Sequence, residues 1–204
     1  MLPLRFNVKL FVILFVVFIV FTCVGTLTHE MGHIAIAKML GYKTHLGYGY
    51  MNYDSPHGSN RKDSLLISIG GPLQTILTGT IGLILLFLWR KKFNLEQNLS
   101  WGQWALIFIT LFWLRQSANM IMVIPDLSTG RLLRGDEFRI AYHLNWPSHS
   151  ISVITGLIGL LVLATVIIRF IPQKHRVTFM LAGLAGGVTG FWLWLIKLGP
   201  VLMP

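Results

Sequence analysis

Long apolar runs alternate with shorter polar connections along the whole chain. A helix of about 20 residues is needed to cross a hydrocarbon core of about 30 Å. Five apolar windows meet this requirement, at residues 10–28, 65–89, 103–123, 150–171 and 177–199. The pattern therefore predicts an all-α integral membrane protein with about five transmembrane helices.

The connections between these windows differ in length and polarity. Residues 41–62 are polar and rich in glycine and tyrosine, and a loose alternation in THLGYGYMNY favours a small surface β-hairpin after the first window. Residues 124–148 form the second long connection. No repeat or second domain is visible, so we expect one membrane-embedded domain over 1–204 with its core at about 10–145. The first apolar run is longer than that of a usual signal peptide, which predicts a retained span.

The composition supports a membrane protein and argues against a nucleic-acid partner. Hydrophobic residues make up 54% of the chain and charged residues 12%, whereas soluble domains carry about 25% charged residues. The net charge is +10, but the basic residues form short clusters at the ends of the apolar runs. That placement is typical of anchoring at lipid headgroups. We expect a multi-pass protein of a membrane, the cell membrane if the source is bacterial.

The first apolar window runs into the stretch HEMGH, residues 29–33. Residues four apart on a helix share a face, so His29 and His33 can hold one zinc ion between them. Glu30 would project beside the metal, where it can accept a proton from an attacking water. Because ionisable side chains at membrane depth are costly, a functional cluster is favoured over a pair of core histidines.

Two motifs resemble those of a known family. HEMGHIAIAKMLGY, residues 29–42, resembles the zinc motif of the site-2 proteases, a family of intramembrane zinc metalloproteases. GGPLQTILTG, residues 70–79, resembles the segment that opens a core helix in that family, with Thr75 where the family often has asparagine. The resemblance covers about residues 15–145. It implies a Zn²⁺-dependent endopeptidase that cuts a membrane protein substrate in or near a transmembrane helix, within the lipid bilayer.

The resemblance also implies an aspartate beyond a later span as the third zinc ligand, usually in an Asn-x-x-Pro…Asp-Gly context. This chain has Asn119 but no Asp-Gly. Asp136 is the preferred ligand because RGDEFRIAYHL resembles the family element that starts a helix with its aspartate. Asp126, nearer the membrane end, and Glu137 remain alternatives. Asn119 is expected to bind the substrate, or else to join helices by a hydrogen bond.

Other hypotheses follow from the same residues. The missing Asp-Gly leaves open a catalytically inactive scaffold or regulator of the site-2 protease type. A metal transporter would carry further acidic or histidine residues inside other spans, and the sequence has none. Arg115 lies within the third window, where a charge requires a partner. It would either extend to an interface or pair with an active-site carboxylate.

Overall fold

A computed structural model describes residues 6–55, 60–129 and 135–203. Its helices are α1 Val8–Met39, α2 Arg61–Leu88, α3 Trp101–Thr110, α4 Leu114–Thr129, α5 Asp136–His143, α6 Ser150–Arg169, α7 Gln173–Phe191 and α8 Gly199–Leu202. Its strands are β1 Lys43–Leu46 and β2 Met51–Asp54. Short 3-10 turns occupy Arg90–Lys92 and Leu111–Trp113, and a π-helical segment, Trp192–Leu198, joins α7 to α8.

Five helical segments of the described residues are long and apolar enough to cross a membrane. They are Val8–Met39, Arg61–Leu88, Trp101–Pro125, Ser150–Arg169 and Gln173–Leu202. The predicted fold class, an all-α multi-pass membrane protein with a small hairpin after the first helix, is confirmed. The first helix continues well beyond residue 28, so the HEMGH stretch lies inside α1 and not in a connection.

The third span is not one continuous α-helix, because the 3-10 turn at Leu111–Trp113 separates α3 from α4. Two glycines of α2 lie against this region. A Cβ at Gly79 would meet the backbone of Trp113, and a Cβ at Gly82 would meet the backbone of Thr110. The small residues allow close helix approach, which a membrane interior favours.

The hairpin follows a glycine that ends α1. Gly41 has a φ of +86°, a left-handed conformation that glycine adopts without strain, and it follows the last turn of α1. The strands β1 and β2 then pair antiparallel. The hairpin turn is fixed to the C-terminal segment, because the indole Nε1 of Trp194 donates to the carbonyl of Tyr48 at 2.7 Å. The hairpin also contacts α1, where a Cβ at Gly49 would lie 3.9 Å from Thr26.

The first half of α1, residues 8–24, packs in a core of apolar and aromatic side chains. The ring of Phe18 lies 4.9 Å from that of Phe108 in α3 and 5.5 Å from that of Phe179 in α7, measured between centroids. Phe21 makes an edge contact with Phe112 at 5.0 Å. These rings hold α1, α3 and α7 together and leave the second half of α1 to pack against α2.

Candidate metal centre

The candidate site forms where α1, α2 and α5 meet. α1 supplies His29, Glu30 and His33, which are all buried. Glycines set the distance between α1 and α2, since a Cβ added at Gly32 would overlap the carbonyl oxygen of Gly70. This close approach brings the backbone of α2 against the two imidazole rings.

Three side-chain atoms converge at this junction. His29 Nε2 lies 3.0 Å from Asp136 Oδ2, and His33 Nε2 lies 3.2 Å from the same oxygen. The two Nε2 atoms are 3.3 Å apart. Ligands of a tetrahedral zinc ion with bonds of 2.0–2.1 Å are separated by about 3.3 Å. Two imidazole nitrogens and one carboxylate oxygen at these separations match the donor set of a catalytic zinc site.

The opposite nitrogen of each ring fixes the tautomer. His33 Nδ1 donates to the carbonyl oxygen of Ile67 at 2.6 Å, and a carbonyl oxygen can only accept. The amide nitrogen of Gly71 lies 3.2 Å from the same Nδ1. Because this contact is longer than that with Ile67, the proton stays on His33 Nδ1. His33 Nε2 is therefore left with a lone pair directed toward Asp136.

His29 is held in the same way by a side chain. Its Nδ1 lies 2.9 Å from Thr75 Oγ1, and that hydroxyl donates its own proton to the carbonyl of Gly71 at 3.0 Å. The hydroxyl oxygen therefore accepts from His29 Nδ1–H, and His29 Nε2 also presents a lone pair. Three acceptors this close repel one another unless a cation lies among them. Hydrogen bonds of this kind orient histidine ligands in metal sites.

Gly71 provides the space in which the three ligand atoms meet. A Cβ added at Gly71 would overlap the Nε2 atoms of both His29 and His33. The face of α2 that approaches the two rings can therefore carry no side chain at this position. The residues present fit a metal ion the size of zinc.

Glu30 lies beside the two histidines. One carboxylate oxygen of Glu30 and one nitrogen of each ring all lie within 4.8 Å of one another. The Glu30 carboxylate therefore lies next to the two imidazoles. Glu30 is only 6% exposed, so its carboxylate acts in a site largely sheltered from bulk solvent.

Asp136 is the first residue of α5 and reaches the histidines of α1 from a distant part of the chain. A carboxylate oxygen is an anionic ligand that zinc accepts, so the position of Asp136 suits a third ligand.

The other two candidates for the third ligand are placed differently. Glu137 is buried, and its Oε1 accepts a hydrogen bond from Asn119 Nδ2 at 2.8 Å and not from an imidazole. Burial raises the pKa of Glu137, and the charge of Asp136 raises it further. Asp126 lies near the end of α4, and its side chain is outside the described residues.

The structure brings together four of the five expected site residues. His29, Glu30, His33 and Asp136 form one cluster, while the amide of Asn119 is engaged by Glu137. Substrate binding by Asn119 stays a prediction. Thr75 is part of the GGPLQTILTG motif, but nothing in the motif predicted that its side chain contacts His29. The available signal was a threonine three residues after Gly-Gly-Pro in an apolar span.

Comparisons with protein-family models, with curated proteins and with solved structures find no match for this chain. The resemblance to the site-2 proteases therefore depends on the two sequence motifs alone. The functional argument depends on the geometry of the site.

Proposed function

We propose that this chain is an intramembrane zinc metalloprotease of the site-2 protease type, which hydrolyses a peptide bond in or near a transmembrane segment of a membrane protein. One observation carries the proposal. Two histidine nitrogens and an aspartate oxygen converge at 3.0–3.3 Å inside a membrane-spanning helix bundle, and the Glu30 carboxylate lies beside the histidines.

Each residue then has a distinct role. His29, His33 and Asp136 would hold the zinc ion, and bound zinc supplies Lewis acidity to a carbonyl group and to water. Thr75 keeps the ring of His29 in the tautomer that a metal requires. Glu30 accepts the proton of the attacking water and can return a proton to the leaving amine.

The location of the site suits a substrate that arrives through lipid. A helix in the bilayer satisfies its backbone hydrogen bonds internally, so the substrate must unwind before its peptide bond can be attacked. Water must also reach the site. A cavity of about 120 Å³ borders Asp136, with Arg115 and Asn119 in its wall, and such a cavity has room for several water molecules.

The protease proposal is tested by combining metal analysis with a cleavage assay. Purified protein, kept free of chelator, should contain roughly one zinc ion per chain and should cleave transmembrane peptides in reconstituted lipid. Glu30→Gln should keep the zinc, because glutamine is near-isosteric and Glu30 is not a ligand. Its turnover should fall by about 10²- to 10⁴-fold, because glutamine cannot accept the proton.

Glu96→Gln is the matched control, since Glu96 is exposed in the connection after α2; this variant should keep both zinc and turnover. A wild-type protein without zinc would defeat the metal centre. Near-normal turnover in Glu30→Gln would place the base elsewhere. Zinc without any cleavage would favour the inactive scaffold.

A further inference from the structure

Arg115 is a half-buried cation that forms no ion pair among the described residues. It lies near the middle of the third span, Trp101–Pro125. Among the described residues, no carboxylate lies within 4.0 Å of its guanidinium group, and its buried Nε makes no hydrogen bond. A charge without an ion pair at this depth is costly, so such a residue marks a site of interaction by default.

Arg115 lines the cavity beside the candidate metal centre. The polar and charged residues of its wall are Arg115, Asn119, Asp136, Glu137, His149 and Ser152. At about 120 Å³, the cavity can hold several waters or one short side chain. A group bound to Arg115 would therefore lie next to the carboxylate that faces both histidines.

The carboxylates of this region have other partners. Asp136 Oδ2 lies against His29 and His33, and Glu137 Oε1 accepts from Asn119. No carboxylate of the described residues forms an ion pair with Arg115, so its guanidinium group can bind an anion from outside the protein. The planar guanidinium group binds a carboxylate through two parallel hydrogen bonds, which gives both affinity and orientation.

We propose that Arg115 binds a carboxylate of the peptide substrate and selects substrates that present one close to the scissile bond. The inference rests on the proposed protease function. The carboxylate can be the C-terminus of the peptide, which would make the enzyme trim chain ends, or an acidic side chain within a longer segment. Both sources share the chemistry that Arg115 recognises.

The test measures binding without turnover. Zinc-loaded protein carrying Glu30→Gln is titrated with one apolar peptide in two forms, with a free C-terminal carboxylate and with a C-terminal amide. A second pair, amidated at the end, carries either glutamate or glutamine in the segment. Arg115 should favour the carboxylate form of at least one pair by about 10- to 100-fold in dissociation constant, and the favoured pair identifies the source.

Arg115→Gln in the same background should abolish this preference, and Arg115→Lys should keep part of it, since lysine retains the charge but not the planar geometry. Arg139→Gln is the matched control, because Arg139 is exposed on α5 and does not line the cavity. It should keep the full preference. Zinc content and the melting temperature are measured for each variant.

Equal binding of both members of each pair would overturn the inference. A preference that survives Arg115→Gln would also overturn it, since the metal would then hold the carboxylate. The inference would also be overturned if an Arg115 variant changed only the melting temperature in anionic lipid, because Arg115 would then bind a lipid phosphate. If the wild type cleaves peptides but shows no preference for a carboxylate, only this inference is wrong. If the preference is present but the wild type cleaves no peptide, the proposed protease function is wrong.

Discussion

The two halves of α1 pack against different helices, and both use glycines for close approach. In the first half, residues 8–24, the contacts are with α7, where a Cβ at Gly186 would overlap the carbonyl of Phe15. In the second half, residues 25–39, the contacts are with α2, where Gly32 meets Gly70. The same device of small residues joins helices at both ends.

The space that the glycines create is used differently in the two halves. In the first half it is filled by side chains, with Phe18 packed against Phe179 and Phe108. In the second half, Gly71 faces the Nε2 atoms of His29 and His33, and the space is shaped for an ion. Close approach therefore serves packing at one end of α1 and shapes the candidate metal centre at the other.

Adding a methyl group at each end is the sharpest test of this difference. Gly71→Ala should abolish stoichiometric zinc, because its Cβ would lie where the two imidazoles meet. Gly186→Ala should keep the zinc and destabilise the fold by about 1–3 kcal/mol through overpacking. Metal analysis and thermal unfolding in detergent measure both effects.

Gly25→Ala and Gly187→Ala are the matched controls, since a Cβ at either position meets no atom within 4 Å. Both variants should keep zinc and melting temperature. Full zinc occupancy in Gly71→Ala would show that the space beside this glycine is not the metal site.

Loss of the distant ligand should have the next largest effect. Asp136→Ala removes the oxygen that lies 3.0 Å from His29 Nε2 and 3.2 Å from His33 Nε2. We expect zinc affinity to fall by more than about 100-fold, which is the largest loss typical of replacing a residue that only orients a ligand. Competition with a chelator of known affinity measures it. The control is Asp54→Ala, on the exposed face of β2, which should leave zinc affinity unchanged. If Asp136→Ala also leaves zinc affinity unchanged, the third ligand is another carboxylate.

The smallest effect is expected for the residue that orients His29. Thr75→Val keeps the shape but removes the acceptor for His29 Nδ1–H, so zinc affinity should fall by about 10- to 100-fold. The matched control is Thr165→Val, because Thr165 Oγ1 donates only to the carbonyl of Leu161 in its own helix. If both threonine variants bind zinc equally well, Thr75 does not position the ligand.

The spans and the histidine pair were predictable because both depend on local geometry. A helix in lipid satisfies its backbone groups within one segment, so a long apolar run is sufficient to indicate a span. The spacing of His29 and His33 places both rings on one face of any helix. The three-part structure of the third span was not predictable, since the turn at Leu111–Trp113 lies against glycines of another helix.

The sequence alone determined the fold class, the hairpin after the first helix and the face that carries His29, Glu30 and His33. The tertiary structure decided which groups complete that face. It placed Asp136, 107 residues from His29, against both rings, and it paired Thr75 and the Ile67 carbonyl with the opposite ring nitrogens. These partners depend on how closely α1, α2 and α5 pack, and no local periodicity encodes the distance between two helices.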